Sequence, residues 1–276
     1  LSIRRQRQMC IRDSYNHQEL RRRLEAEGIA FQSRSDTEVA ARALHAWGIE
    51  TALDRFRGMF AFALWDWNTH VLTLARDPLG VKPLYWAMRG GIVRFGSEIK
   101  AILADPVFPR QPEITSVLNY LAHYRLNLDG ATLFRHIREV APGSYLQWHG
   151  SRRTERTYWQ MPLIPEKDKH DPGLETATGI FREKLSKAVE RRMIADVPVG
   201  GYLSGGIDSS VLVMLMKDLS PSNLNTFSIG FEEEGYNEFS WSTRLARQLD
   251  VTHKQVAMTE TGYFNQLEDL LSLMHI

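Results

Sequence analysis

The sequence has almost no cysteine, no long hydrophobic run and almost no net charge. Its one thiol, Cys10, allows no intrachain disulfide, which fits a reducing compartment such as the cytosol. The longest apolar stretches, 58–65 and 211–216, fall far short of the roughly 20 residues that a membrane helix needs. The formal charge is +1, from 34 Lys and Arg against 33 Asp and Glu. No global field therefore draws in nucleic acid or a membrane surface. The basic residues Arg4, Arg5, Arg7 and Arg12 have no apolar run behind them, so they do not read as a secretory signal. Neither G-x-x-x-x-G-K-[ST] nor G-x-G-x-x-G occurs, which argues against a Walker A loop and a dinucleotide fingerprint.

What is present is ordinary for a soluble globular protein. The chain has 276 residues, 43% hydrophobic and 24% charged, enough for about two domains at roughly 100–200 residues each. Residues 1–14 show no helical or strand period and 271–276 close without a cap. Both are read as non-native ends, and the Arg cluster as a solvated tail. Between them the character changes once. Residues 15–150 are rich in hairpin patterns. Helices are expected at Gln18–Ala26, stopped by Gly28, and at Asp36–Trp47, stopped by Gly48. Ser35 is the expected N-cap, with Glu38 as its capping-box partner. Gly58–Trp65 reads as a strand buried on both sides. Val71–Ala75, Leu84–Met88, Ile92–Phe95 and Ser144–Trp148 read as further strands, and Glu98–Leu103 and Thr115–Tyr124 as helices. An antiparallel sheet layered with helices follows. Residues 151–172 are polar and Pro-bearing and read as a linker. From 173 to 270 strands alternate with helices. A long amphipathic helix at Leu174–Ile194 leads into strands at Val197–Leu203, Asn225–Ile229 and His253–Val256, with helices at Asp208–Leu219 and Glu238–Leu249. That order implies a parallel sheet flanked by helices.

The most informative segment is Val199–Val211, VGGYLSGGIDSSV. An apolar strand breaks at Ser204, Gly205 and Gly206 and resumes as a helix near Asp208. Glycines let the backbone approach a ligand closely. Successive N–H groups and a helix N-terminus attract an anion, and Ser204, Ser209 and Ser210 add hydroxyls. Asp208 repels phosphate unless Mg²⁺ lies between them, held by a carboxylate and phosphate oxygens. The residues alone leave two readings open: a Mg-nucleotide loop, or a tight strand–helix turn capped by Asp208. Elsewhere the plainer reading prevails. Arg76, Asp77 and Lys82 set a loop, Trp65, Trp67 and Trp86 pack, and His253 has no metal-ligand partner at useful spacing.

S-G-G-x-D-S-S after an apolar strand resembles the pyrophosphate loop of the ATP-pyrophosphatases. RDPLGVKPLYW at 76–86, FGSEIKAIL at 95–103, Tyr15–Asn16–His17, Ser35–Asp36–Thr37–Glu38–Val39 and Gly58–Ala63 are similar to the glutaminase half of the asparagine synthetases. The resemblance runs from about Tyr15 to about Leu270. It implies an α+β N-terminal-nucleophile glutaminase sandwich, followed by an incomplete α/β parallel-sheet ATP-pyrophosphatase domain. It also implies a glutamine-dependent ligase that adenylates aspartate with ATP and Mg²⁺. Such an enzyme binds glutamine, aspartate and ATP, works in the cytoplasm and engages neither nucleic acid nor membrane; a homodimer is compatible with it. By the same resemblance Asp36 holds the glutamine α-amino group, and Leu203 and Ile229 contact the nucleotide. Ser204, Gly205, Gly206, Asp208, Ser209 and Ser210 take the pyrophosphate, with Asp208 reaching Mg²⁺ through it. The family's N-terminal nucleophilic cysteine and its Arg-His-Arg-Gly-Pro segment have no counterpart here, and Arg12–Asp13–Ser14 stand where it has Asn-Gly-Glu. The expectation is a sequence truncated at both ends and inactive by itself. Two rivals remain: a related amidotransferase or β-lactam-type cyclase, and a non-catalytic nucleotide-binding remnant.

Overall fold

The computed structural model describes residues 14–124, 129–195, 197–220, 224–232 and 238–266. Two compact units emerge, one running Asn16–Leu163 and one taking in the residues from Ile164 on. The segments read as non-native ends lie outside the described residues apart from Ser14, and Cys10 with them. Among the described residues no helix is long and apolar enough to cross a membrane.

In the first unit, α1 (His17–Ala26) buries Leu20 and Leu24, one turn apart on one face. Helix α2 (Asp36–Arg55) starts at Ser35, whose hydroxyl accepts the Thr37 N–H at 3.1 Å. The expected capping box does not form. Glu38 instead accepts the N–H groups of Gln32 and Ser33, at 2.9 and 2.7 Å, and the Ser33 hydroxyl at 2.7 Å. The Ser35 N–H goes to Ser33 Oγ at 3.2 Å. The turn before the helix offers this carboxylate two backbone donors, where a capping box offers one. Gly48 breaks the helix as expected, at φ 75° and ψ 169°, but the chain resumes helical geometry through Arg55. Burial of Ala52 and Leu53 favours the second piece. Asn16 closes its end, donating to Arg55 O and accepting from Arg57 N, each at 3.0 Å.

The strands β1 (Ala61–Asp66), β2 (Val71–Arg76), β3 (Tyr85–Arg89) and β4 (Ile92–Gly96) precede α3 (Ile99–Leu103) and α4 (Ile114–His123). Then come β5 (Arg138–Glu139), β6 (Ser144–His149) and β7 (Arg152–Thr157). They form two antiparallel sheets, ordered β1-β2-β6-β7 and β4-β3-β5. The strand expected to be buried on both sides is β1. It begins at Ala61, lies at a sheet edge, and leaves Ala63 and Trp65 exposed. Residues 152–157, read as the start of the linker, are instead an exposed edge strand, RRTERT, held by backbone pairing to β6. Charged side chains suit such an edge, and they leave no apolar alternation to read.

Side chains alternate across β2 and β6. Ala75 and Tyr145 join Leu24, Val39, Leu44 and Leu53 of the helices. Leu74, Leu146 and Trp148 face Leu84 and Trp86. On the far side of β3, Ala87 packs with Ile102 and Leu103 of α3. The layers therefore run helix, sheet, sheet, helix. Behind them the 76–86 segment is pinned by two buried charges. Arg76 pairs with Glu139 at 2.7 Å and donates to the carbonyls of Gly80, Lys82 and Val140. Asp77 accepts the N–H groups of Leu79, Val81 and Lys82 at 2.9–3.1 Å. Local setting of the loop is thus the role the structure gives both residues.

The second unit contains α5 (Leu174–Arg192), β8 (Gly200–Tyr202), α6 (Ile207–Leu219) and β9 (Asn225–Phe231). They are followed by α7 (Phe239–Gln248), β10 (Thr252–Met258) and α8 (Glu260–Asn265). The sheet is parallel, ordered β10-β9-β8, as the alternation of strands and helices implies. One face meets α6 and α7, where Leu203, Val213, Leu224 and Ala246 form the core. The other carries Tyr202, Phe227, Ile229, Phe231 and Val256, all exposed. Of α5 only Val189 is buried, although the helix reads as amphipathic.

Candidate functional site

Strand β8 ends at Tyr202, and Leu203 follows as a fully buried residue whose N–H donates to Phe227 O at 2.8 Å. The chain then turns through Ser204, Gly205 and Gly206 into α6, so the loop lies at the carboxyl end of a parallel strand. Open α/β sheets bind ligands there. Gly205 sits at φ +96°, and a Cβ on it would come within 2.6 Å of Trp241 Cβ. The turn therefore requires glycine on two grounds, backbone conformation and space.

The three hydroxyls fold onto the loop itself. Ser209 and Ser210 donate to Gly206 O at 3.1 and 2.7 Å. Ser204 Oγ lies 3.0 Å from Ser209 Oγ and accepts the Gly206 N–H at 3.3 Å. They hold the loop closed on its own backbone, and an incoming anion has to win them from Gly206. The first-turn N–H groups of Ile207, Asp208 and Ser209 have no intrahelical acceptor, and they carry the positive end of the α6 dipole. Asp208 is exposed, and among the described residues its carboxylate has no hydrogen-bond or ion-pair partner. It is not the N-cap of α6, since Gly206 occupies that position. The plainer reading of Asp208 as a cap is thereby removed, and the carboxylate is left available to a cation.

No group of three or more His, Cys, Asp or Glu among the described residues could hold a metal ion. A Mg²⁺ at Asp208 therefore needs phosphate oxygens to complete its shell. The donors present, one carboxylate beside helix N–H groups, suit a metal that arrives with a phosphate ligand. Ile229 does not pack in a core. It is 60% exposed, on the uncovered face of β9 and close to the level of Ser204. That exposure leaves its side chain open to a flat apolar group.

In the first unit Asp36 is the first helical residue of α2. The turn before it is bound by Glu38, Ser33 and Ser35, yet Asp36 makes no hydrogen bond or ion pair among the described residues. A carboxylate at a helix start fits the dipole, and a free one fits an ammonium ligand. Sequence reasoning missed the partnership of Ser228, on β9, with His253, on β10. Ser228 donates to the carbonyl of Leu203, at the root of the loop, and lies 3.3 Å from His253 Nε2. Only the alternation along TFSIGF hints at it, by placing Ser228 on the same face as Thr226.

Residues 11–159 match the family model described as glutamine amidotransferase domain, and 180–275 the one described as asparagine synthase. The chain is 36% identical over 259 residues to asparagine synthetase [glutamine-hydrolyzing] 1 of Bacillus subtilis, covering 93% of this chain and 40% of that protein. It is 31% identical to asparagine synthetase [glutamine-hydrolyzing] 3 of the same organism, covering 92% and 43%. It is 34% identical to amidase chyE of Penicillium rubens, covering 92% and 39%. The chain thus spans about two fifths of the length of these relatives.

Proposed function

We propose, from the premise that this chain belongs to the glutamine amidotransferase family through residues 11–159, that it carries the glutamine and ATP-pyrophosphate sites of a glutamine-hydrolysing asparagine synthase. The observation that carries the reading is the loop at the end of β8. Its glycine-dependent turn, helix N–H groups and free Asp208 suit Mg-pyrophosphate, and it follows an amidotransferase unit in one chain. The helix, sheet, sheet, helix layering of the first unit supports an N-terminal-nucleophile glutaminase sandwich.

On this reading the first unit, with β7 included, forms the glutaminase domain, and residues 173–270 belong to the synthetase domain. Asp36 pairs with the α-amino group of glutamine. Leu203 and Ile229 contact the nucleotide through their backbones. Ser204, Gly205, Gly206, Ser209 and Ser210 receive the pyrophosphate, and Asp208 would hold Mg²⁺ through it, where the ion would supply neutralisation of the phosphate charge. A carboxylate is a poor electrophile. Transfer of AMP from ATP to the aspartate side chain expels pyrophosphate and leaves an acyl-adenylate. Ammonia released from glutamine attacks that carbonyl, AMP departs, and asparagine is formed. The substrates are glutamine, aspartate and ATP, the partners are small molecules, and the setting is the cytoplasm. A homodimer is compatible with the reading.

The test is aspartate-dependent exchange of pyrophosphate into ATP, in a full-length protein carrying these residues. Asp208→Ala is expected to lower the exchange at least about 100-fold, on the scale of one lost transition-state electrostatic contact. Asp36→Ala is expected to raise the glutamine KM while ammonia-driven synthesis holds. The similarity to an amidase favours one second reading, in which the same loop activates another acid. Exchange driven by other carboxylic acids and not by aspartate would establish it.

A further inference from the structure

Beneath the loop lies a polar bracket made by three side chains of neighbouring strands. Thr226 and Ser228 are buried on the helix-covered face of β9. His253 of β10 sits between them, its Nδ1 2.9 Å from Thr226 Oγ1 and its Nε2 3.3 Å from Ser228 Oγ. Each hydroxyl also donates to a backbone carbonyl, Thr226 to Thr252 at 3.1 Å and Ser228 to Leu203. The second carbonyl belongs to the residue from which Ser204 departs.

The protons can be counted. A hydroxyl has one proton and a neutral imidazole has one N–H. With the Thr226 proton on the Thr252 carbonyl, the imidazole donates from Nδ1 to Thr226. Nε2 is then an acceptor, and it competes with the Leu203 carbonyl for the single proton of Ser228. A proton on Nε2 ends that competition in favour of Leu203. A cleft of about 400 Å³, lined by Thr243, Arg247, Asp250, His253 and Gln255 among others, opens beside the ring and gives protons a route to it.

We propose that His253 is a positioning residue for the pyrophosphate loop, acting through Ser228 on the carbonyl of Leu203. The proposal rests on the assignment of that loop to ATP. Besides His253 itself, the charged groups at the cleft are Arg247, on α7, and Asp250, in the turn that follows. Lys217 of α6 reaches the same turn, donating to Asp250 O at 3.1 Å. Burial holds the imidazole below its ordinary pKa of 6.5. The ring is therefore neutral at pH 7, and the proton that frees Ser228 for Leu203 arrives on the acid side.

The experiment measures the KM for Mg-ATP in the aspartate-dependent exchange from pH 5 to 8. It compares a full-length parent with His253→Gln, Ser228→Ala and Asp208→Ala. The parental KM is expected to change on the acid side of pH 6.5. Ser228→Ala is expected to raise the KM roughly fivefold at pH 7, as for one lost hydrogen bond. His253→Gln, which ends the competition for the Ser228 proton, is expected to hold from pH 5 to 8 the KM that the parent reaches on the acid side, and both variants flatten the acid-side change. Glutaminase turnover, made by the other unit, is expected to stay at the parental rate. A His253→Gln protein with the parental KM and pH profile overturns the proposal. Should that variant fail to fold, Ser228→Ala, which removes one oxygen, decides by the same criterion. Asp208→Ala separates the two assignments. Parental exchange in that variant removes the ATP loop itself, whereas loss of exchange there beside a silent His253→Gln removes only the bracket.

Discussion

The two units bury themselves to different extents. In the first, helices and two sheets cover each other in four layers, and three apolar clusters occupy the three interfaces. Even its charges are inside: Arg76 and Asp77 are almost wholly buried, and each is bound to several backbone groups. In the second, a three-stranded parallel sheet has helices on one face and an exposed apolar face on the other. Parallel sheets are ordinarily covered on both sides. The first unit thus gains its order from enclosure, and the second from one buried layer and the polar bracket beneath its loop.

The largest effect expected from this contrast is at Arg76. Its pairing with Glu139 is buried, and its guanidinium ties three loop carbonyls together. Removing one partner of a buried pair costs about 3–5 kcal/mol. Arg76→Ala is therefore expected to lower the unfolding free energy by that amount, read from urea titration of the whole chain by tryptophan fluorescence. A loss near zero would mean that the first unit does not depend on enclosed charge, and the contrast would fail there.

A leucine pair sharpens the same comparison at smaller magnitude. Leu74 and Leu203 are both fully buried. Leu74 lies between two sheets that hold their spacing, whereas Leu203 belongs to a cluster of four buried residues next to a loop. Leucine-to-alanine losses span about 2–5 kcal/mol, depending on how far the site collapses. Leu74→Ala is expected near the top of that span and Leu203→Ala near the bottom, by the same titration. The reverse ranking would show that the second unit is the more rigid one.

Much of this was legible in the sequence, and the failures have a common cause. Helix starts and stops at Ser35, Gly28 and Gly48 follow local rules of capping and backbone freedom. The parallel sheet follows from strand–helix alternation. The segments that escaped are those decided by distant partners. Residues 49–55 resume a helix because Tyr145 holds Glu50 and Asn16 holds Arg55. Residues 152–157 become a strand because β6 offers its edge. At the site, the glycines and serines announce the loop, and the structure adds that Asp208 and Asp36 are without partners among the described residues. The bracket of Thr226, Ser228 and His253 was hidden, because its members are 25 or more residues apart in part and meet only through strand register.

The smallest expected effect separates two carboxylates, a largely covered one in the first unit and an exposed one in the second. Glu38 is held down to about 2 from 4.5, first by the Gln32 N–H, then by the Ser33 hydroxyl and N–H, and least by Arg42. Glu183 is also held below its ordinary value, but by the hydrogen bond and charge of Lys187. The folded pKa of Glu38 lies under its unfolded value, so its stabilising contribution is complete above about pH 4.5 and is lost as pH falls toward 2. Glu38→Gln is expected to flatten the stability profile across that window, measured by thermal melts at stepped pH. Salt distinguishes the two causes. At 1 M ionic strength the Debye length falls to about 3 Å, which screens an exposed ion pair, while hydrogen bonds from fixed N–H groups persist. Carboxyl-carbon NMR titrations are therefore expected to move the Glu183 pKa back toward its ordinary value in high salt and to leave Glu38 low. Equal relaxation of both would show that the turn before α2 is held by charge and not by its backbone, and the local order around Asp36 would then be no firmer than a surface ion pair of the second unit.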